Sequence, residues 1–280
     1  MITSSLLKKI RCINKILQEA AGQHISFKDI AGVLKNVIHA SVYIADLQGS
    51  IKGYALVDNF KCKIMINLVQ KERFPEGYNK YLLKSNELKI NLQQKPQDCI
   101  FLEGQSCPYT DKIVAEIPII GGGKRLGTVI LVRFDGLFGV EDVILAENGA
   151  AITGMEMLRL KVEETEKEMR YKEVLRLALD TLSCSEREAV EHVFEKLGNN
   201  EGILVTRKLG IAGSVIANAL RKLECAGVIE SRSLGGKGTY LKVLNPYLFE
   251  FLTKKIVWNS GLRVSDFYSG VGFLPLNIQS

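Results

Sequence analysis

Residues 203–243, ILVTRKLGIAGSVIANALRKLECAGVIESRSLGGKGTYLKV, decide how the second half of the chain is read. A short apolar segment leads into a turn at Leu209-Gly210-Ile211. From Ser214, a residue type that caps helices, to about Ala226, Ile216, Leu220 and Leu223 fall at helical spacing and make one inward face. Ser214, Asn218, Arg221 and Lys222 are left on the opposite face. Gly227 ends the helix as a C-terminal glycine does. Two strands follow, at 228–233 and 239–243, joined by Gly235-Gly236-Lys237-Gly238. Helix, turn, helix and hairpin in that order make the winged helix-turn-helix pattern. In that pattern the second helix enters a DNA major groove and the hairpin touches backbone.

The charge distribution agrees with this. The whole chain carries a mild +6, which by itself excludes little. Between Gly202 and Asn245, however, seven basic side chains (207, 208, 221, 222, 232, 237, 242) face two acidic ones (224, 230), a local balance of +5. Nearly all the excess sits where phosphates would need it.

At 280 residues the chain has room for two cores. The six cysteines (12, 62, 99, 107, 184, 225) show no Cys-x-x-Cys and no histidine at metal spacing. Cys99 and Cys107 are able to pair, but free thiols in a reducing cytosol are the expected state. No apolar run is long enough to span a membrane and the first ten residues carry no cleavage signature, so a cytoplasmic location is expected.

Upstream, Leu6, Ile10, Ile13 and Leu17 space an amphipathic helix ending near Gly22. Ser26 and Asp29 signal a second helix over 27–40. Strands are expected at 41–45 and 51–56 around Leu47-Gln48-Gly49-Ser50, and short helices at 64–70 and 76–83. Residues 84–96 are polar and read as a loop. Residues 99–102, 113–120 and 127–134 are β-branched and strand-like. One long helix, or two in series, runs from Val140 to about Leu182, apolar in its first half and alternating Glu with Lys and Arg over 161–172. Ser185-Glu186-Arg187-Glu188 reads as a capping box opening a helix to Leu197. The fold class expected is α+β: a GAF-like or PAS-like antiparallel-sheet domain, a connector helix, and a winged helix-turn-helix. The boundaries expected are 1–158 for the sensor domain, 159–182 for the connector, 183–250 for the DNA-binding domain and 251–280 for a tail of unassigned role.

Several strings carry a resemblance. IPIIGGGKRLGT (117–128), LAENG (145–149), GMEMLR (154–159), NALRKLECAGVIESRSLG (218–235), KGTY (237–240) and KILQ (15–18) resemble the CodY family. The likeness runs from about Ile10 to Asn245. It implies a global transcription regulator of low-GC Gram-positive bacteria. The GAF domain of such a regulator binds a branched-chain amino acid, most often isoleucine, and GTP raises its DNA affinity in many members. The loaded homodimer binds double-stranded operators and mostly represses nutrient-limitation genes.

By the same resemblance, Met65, Leu68, Phe74, Tyr78 and Phe101 line the aliphatic pocket, and Glu156 and Lys161 contact nucleotide. Thr206, Arg207, Lys208, Ser214, Asn218, Arg221, Arg232 and Lys237 face DNA. The chain departs from the family pattern at three places. Ile64 stands where isoleucine-responsive members carry an arginine, Asp46-Leu47-Gln48 stands for a Ser-Arg-Arg turn, and Ala212-Gly213 for the Thr-Arg that opens the recognition helix. A second reading follows from those departures: a diverged paralogue with altered effector and operator binding that acts through dimerisation.

An enzyme is not expected. In 122–128 Thr128 stands where a phosphate-binding loop needs lysine, and the segment joins two strands rather than a strand and a helix. His24, His39 and His192 are scattered, and no catalytic cofactor or metal site is indicated.

Overall fold

Alternation along the strands accounts for the first half of the molecule. Strand β1 (Ser41–Asp46) is buried at five successive positions, so its residues must be covered on both faces. The same holds for most of β4 (Ile113–Gly121) and β5 (Lys124–Arg133). With β2 (Ile51–Ala55) and β3 (Lys89–Gln93) they form a sheet in the order β2-β1-β5-β4-β3, every neighbouring pair antiparallel.

This is a computed structural model. It describes residues 2–19, 22–58, 62–93, 112–198, 201–204, 210–235 and 238–253. They fall into two compact units, Met1–Glu164 and Thr165–Ser280. The expected strand at 99–102 lies outside the described residues.

In the first unit, Val42, Ile44, Ala115, Ile117, Val129 and Leu131 point to one face of the sheet. They pack against Ile13 of α1 (Ile2–Glu19), Ile30, Leu34 and Ile38 of α2 (Phe27–Ile38) and Leu145 and Ile152 of α5 (Val140–Asp180). Each such fully buried aliphatic side chain contributes about 1.5–3 kcal/mol. The alternate residues Tyr43, Ala45, Val114, Ile130 and Val132 point the other way, under α3 (Lys63–Gln70) and α4 (Glu76–Leu82). The helix α5 is one continuous element of 41 residues, its polar stretch laced by the pairs Arg159–Glu163, Lys172–Glu168 and Arg176–Asp180.

Some expectations are corrected. The polar segment 84–96 contains β3, which pairs with β4 through an irregularity between Lys89 and Leu92. Asn91 takes a left-handed φ of 56°, and its amide side chain accepts from Phe138 N–H at 2.8 Å and donates to Phe138 O at 3.2 Å. An edge strand held this way needs little apolar sequence. Helix α2 stops at Ile38 because His39 turns left-handed, and Ser26 caps it with its carbonyl rather than its side chain.

In the second unit, α6 (Cys184–Leu197) is capped two residues earlier than expected. The capping box is Ser183 with Glu186: Ser183 Oγ accepts Glu186 N–H at 3.3 Å and Glu186 Oε2 accepts Ser183 N–H at 2.8 Å. Helix α7 (Gly213–Cys225) has Ala212 at its N-cap, so Ser214 lies inside the first turn instead of capping it. Its end is as expected: Gly227 takes φ 69°, Gly227 N–H reaches Glu224 O and Val228 N–H reaches Leu223 O. Strands β6 (Glu201–Leu204), β8 (Thr239–Val243) and β7 (Ile229–Ser233) lie side by side in that order, followed by α8 (Leu248–Thr253). Leu175, Val193, Phe194, Ile216, Leu220, Leu223, Leu241 and Leu248 form the core of this unit. Among the described residues no helix is long and apolar enough to cross a membrane. Cys12, Cys62, Cys184 and Cys225 are free thiols.

One close approach gives a direct test of the first unit. A Cβ placed on Gly53 of β2 would sit 2.4 Å from the Phe27 carbonyl at the start of α2. Backbone cannot yield as a side-chain tip can. Gly53→Ala is therefore expected to destabilise the protein by about 1–3 kcal/mol in urea unfolding. An unchanged midpoint would contradict the tight seating of α2 on β2.

Candidate functional site

The second face of the sheet gathers four of the five apolar residues that the sequence nominated. Met65 and Leu68 come from α3, Phe74 precedes α4 and Tyr78 lies on α4; all four belong to one cluster with Tyr43, Val114 and Ile130. The connecting segment is tied to the first hairpin by backbone: Phe74 N–H donates to Gly49 O and Ile51 N–H to Glu72 O, both at 2.8 Å. Asn79 Nδ2 donates to Leu47 O at 2.8 Å. Phe74 is thereby held edge-on to Tyr78 (5.2 Å between ring centres) and to Tyr43 (6.3 Å). Phe101 lies outside the described residues.

Three polar residues of this face were not singled out from sequence. Tyr43 is 0% exposed, and its hydroxyl has no hydrogen-bond partner among the described residues. Burial pushes its ionisation well above the ordinary tyrosine range, so the hydroxyl stays protonated. Glu116 is 6% exposed. Burial raises its pKa, opposed by Lys89, whose Nζ stands 3.8 Å away, and by a hydrogen bond from Tyr81.

Arg125 is the third. It donates through Nε to Gly127 O, through Nη1 to Ser85 O and Asn86 Oδ1, and through Nη2 to Leu82 O and Thr128 Oγ1. Glu116 had a signal in the sequence, being one carboxylate at an inward position of the apolar run 113–120. Tyr43 had none, because a tyrosine in a strand is ordinary.

Around the first hairpin the charges are committed internally. Asp46 Oδ1 accepts the N–H groups of Gln48 (2.9 Å) and Ser50 (2.8 Å), and its other oxygen pairs with Lys52 at 3.0 Å. On α5, Glu156 is 3% exposed and turned inward. Its Oε1 accepts Ile25 N–H at 3.1 Å and lies 3.0 Å from His24 Nδ1, while Arg159 is 3.7 Å from Oε2. Lys161 is exposed, about 140° around the helix from Glu156. The structure does not bring these two onto one face.

In the second unit, Ser214, Asn218 and Arg221 follow one another at helical spacing on the exposed side of α7. Ile216, Ala219, Leu220 and Leu223 occupy the buried side. Hydroxyl, amide and guanidinium groups on one helix stripe are the set that reads base edges and phosphates. Lys222 does not belong to that stripe. Its ammonium donates to Thr181 O (2.9 Å) and to Glu186 (2.7 Å), drawn in by the carboxylate of the capping box. Arg232 is exposed on β7 with its guanidinium on Glu230 at 2.7 Å. Glu224 fastens α7 to β7 by accepting the N–H (3.0 Å) and hydroxyl (2.9 Å) of Ser231. Thr206, Arg207, Lys208 and Lys237 lie outside the described residues.

Residues 5–181 match the family model of the CodY GAF-like domain, and residues 201–255 that of the CodY helix-turn-helix domain. Among curated relatives, a protein of Clostridium beijerinckii called global transcriptional regulator CodY is 47% identical over 256 residues, covering 90% of this chain and 99% of that protein. Its namesake in Clostridium botulinum (strain Alaska E43) is 48% identical with the same coverage. Among solved structures, the cofactor-binding GAF domain of the nutrient sensor CodY from Clostridium difficile aligns with a TM-score of 0.39 at 28% identity, over 54% of this chain and 96% of that one.

The buried carboxylate gives a pH test. Glu116 holds its proton more tightly folded than unfolded, so it subtracts stability as pH rises from its ordinary value of 4.5 through its raised one. Glu116→Gln removes that component. The loss of urea stability between about pH 5 and about pH 8 is expected to be smaller in the variant than in the parent protein. An equal loss in both proteins would show that Glu116 is not the group responsible.

Proposed function

This chain belongs to the CodY family of global transcriptional regulators, and from that premise we propose that it is a homodimeric DNA-binding repressor modulated by a branched-chain amino acid, isoleucine foremost, with GTP as second effector. In this reading 1–158 senses, 159–182 connects, 183–250 binds double-stranded operators and 251–280 has no assigned role. The protein acts by binding, as its relatives' names imply, and not by catalysis.

The observation that carries the reading is the stripe Ser214, Asn218 and Arg221 on the outer side of α7, beside the β7–β8 hairpin. It supports a recognition helix with a wing. The apolar set Met65, Leu68, Phe74 and Tyr78 supports an aliphatic effector, selected by packing. Support for GTP is narrower. Of the groups nominated for nucleotide, Lys161 is exposed while Glu156 is buried on its own partners. For the dimer, Met155, Val162 and Met169 recur every seventh residue along α5 and are 61%, 53% and 58% exposed. A heptad of exposed apolar residues is the pattern of a helix that meets its own copy. Two recognition helices at fixed spacing then match two half-sites.

Fluorescence anisotropy with a family-type operator, at stated salt, with and without isoleucine and GTP, tests the whole reading. Tight binding strengthened by isoleucine is the expected result. Binding no better than to non-specific DNA would instead support the diverged paralogue. Within the same assay Arg221→Ala is expected to weaken operator binding by about 1–3 kcal/mol. Lys222→Ala is expected to act mainly on thermal stability, because its ammonium is on Glu186. Unaltered operator binding by Arg221→Ala would remove α7 from the interface.

A further inference from the structure

At the face under α3 and α4, two cations are committed to the protein's own groups. Lys89, one cation at this face, is beside Glu116 and over the Tyr81 ring, 5.1 Å from its centre. Arg125 has all five N–H groups directed at protein oxygens. Neither is left to meet the polar end of a small molecule. Tyr43 differs from both. Its ring is fully buried against Phe74, its hydroxyl lies in the neighbourhood of Cys62 and Tyr78, and that hydroxyl donates to nothing among the described residues.

An orphaned buried hydroxyl destabilises a folded protein, because the hydrogen bond it had with water is not replaced. Such a group calls for an explanation, and a hydrogen bond to a bound small molecule is one that its place in this cluster suits.

We propose that the Tyr43 hydroxyl is a specificity-determining contact of the effector site, donating its hydrogen bond to an acceptor oxygen at the polar end of a small branched aliphatic ligand. This deepens the effector reading and rests on it. Tyr43, Ile130 and Glu116 stand in one row across β1, β5 and β4. The Tyr43 end of that row is neutral and the far end carries the carboxylate, the two backbones standing about 10 Å apart at two strand spacings. An acceptor-bearing head such as a carboxylate or carbonyl is therefore received at the Tyr43 end. The apolar part lies along Ile130, Phe74 and Tyr78. A neutral hydroxyl donating to a carboxylate makes a charge-assisted bond, stronger than a neutral one.

The test uses the full-length protein, with isoleucine, valine and leucine as probes, calorimetric titration for Kd, and thermal unfolding without ligand. Tyr43→Phe keeps the ring and removes only the hydroxyl. Isoleucine Kd is expected to rise about tenfold, by a similar factor for all three probes, because the lost contact is to the head they share. The unfolding midpoint of the unliganded variant is expected to hold or rise, since an unpartnered hydroxyl has gone. Met65→Ala is the packing control: it should change the ranking of the three side chains instead.

An unchanged Kd in Tyr43→Phe, with a parent protein that binds, overturns the Tyr43 assignment and leaves the effector reading standing. So does a lower unliganded midpoint, which would mean the hydroxyl has a partner within the fold. A parent protein that binds none of the three amino acids overturns the effector reading, and this assignment falls with it.

Discussion

Strands buried on both faces set the terms for everything in the first unit. Once β1, β5 and β4 lie in the middle of a sheet with helices on either side, the side chains at their centres do not have water as a fallback. An apolar residue there is simply stabilised. A polar residue must find a partner, change its protonation, or wait for one. Three of the inward polar residues illustrate the three outcomes. Thr128 is buried and accepts from Arg125. Glu116 shifts towards its neutral form while keeping Lys89 and Tyr81 nearby. The Tyr43 hydroxyl has no hydrogen-bond partner among the described residues. The face under α1, α2 and α5 is mostly aliphatic and meets Ile30, Leu34 and Leu145, but it has its own case in Arg133, which bonds to Ile38 O and Asp142 while its Nε has no partner among the described residues.

The second unit works through a different division. Its recognition helix is two-sided, and the sides are sorted by spacing alone: Ile216, Leu220 and Leu223 inward, Ser214, Asn218 and Arg221 outward. Beyond the shared apolar core, a small set of ionic and polar ties joins the helix to its neighbours. Glu224 reaches β7 through Ser231, and Lys222 reaches the start of α6 through Glu186. The same Glu186 completes the capping box, so one carboxylate serves both the opening of α6 and the seating of α7. Hydrogen bonding to Lys222 and to Ser183 holds its pKa below the ordinary range, which keeps it charged for both tasks.

The boundaries that the sequence made legible are those written in backbone chemistry. Gly227 closing α7 and the hairpin around Gly49 could be read because left-handed φ values need glycine at those points. The apolar periodicity of α1, α2 and α7 was legible because burial on one face leaves a repeating mark. The errors have a common cause. At Ser183 and Ser185, two serines compete for one cap and only the geometry of Glu186 chooses between them. Strand β3 is an edge held by backbone pairing and one asparagine, neither of which leaves an apolar pattern. Lys222 has the right helical phase for the outer face, but a long flexible side chain follows its nearest carboxylate rather than its Cα vector.

The candidate sites show the same limit more sharply, because motif reading identifies positions and not vacancies. Asp46 and Glu156 both occupy positions at which a ligand contact was sought, and both are carboxylates. Each is already the centre of a local network: Asp46 gathers two turn amides and Lys52, and Glu156 gathers His24, the Ile25 amide and Arg159. A ligand approaching either would have to replace bonds that hold a hairpin or a helix junction. Removing a partner from a buried charged group is worth several kcal/mol. Tyr43 is the reverse case, an ordinary strand residue at an unremarked position whose hydroxyl has no partner among the described residues. Availability is a property of the finished neighbourhood, and it takes the packed side chains of both helices and sheet to see it.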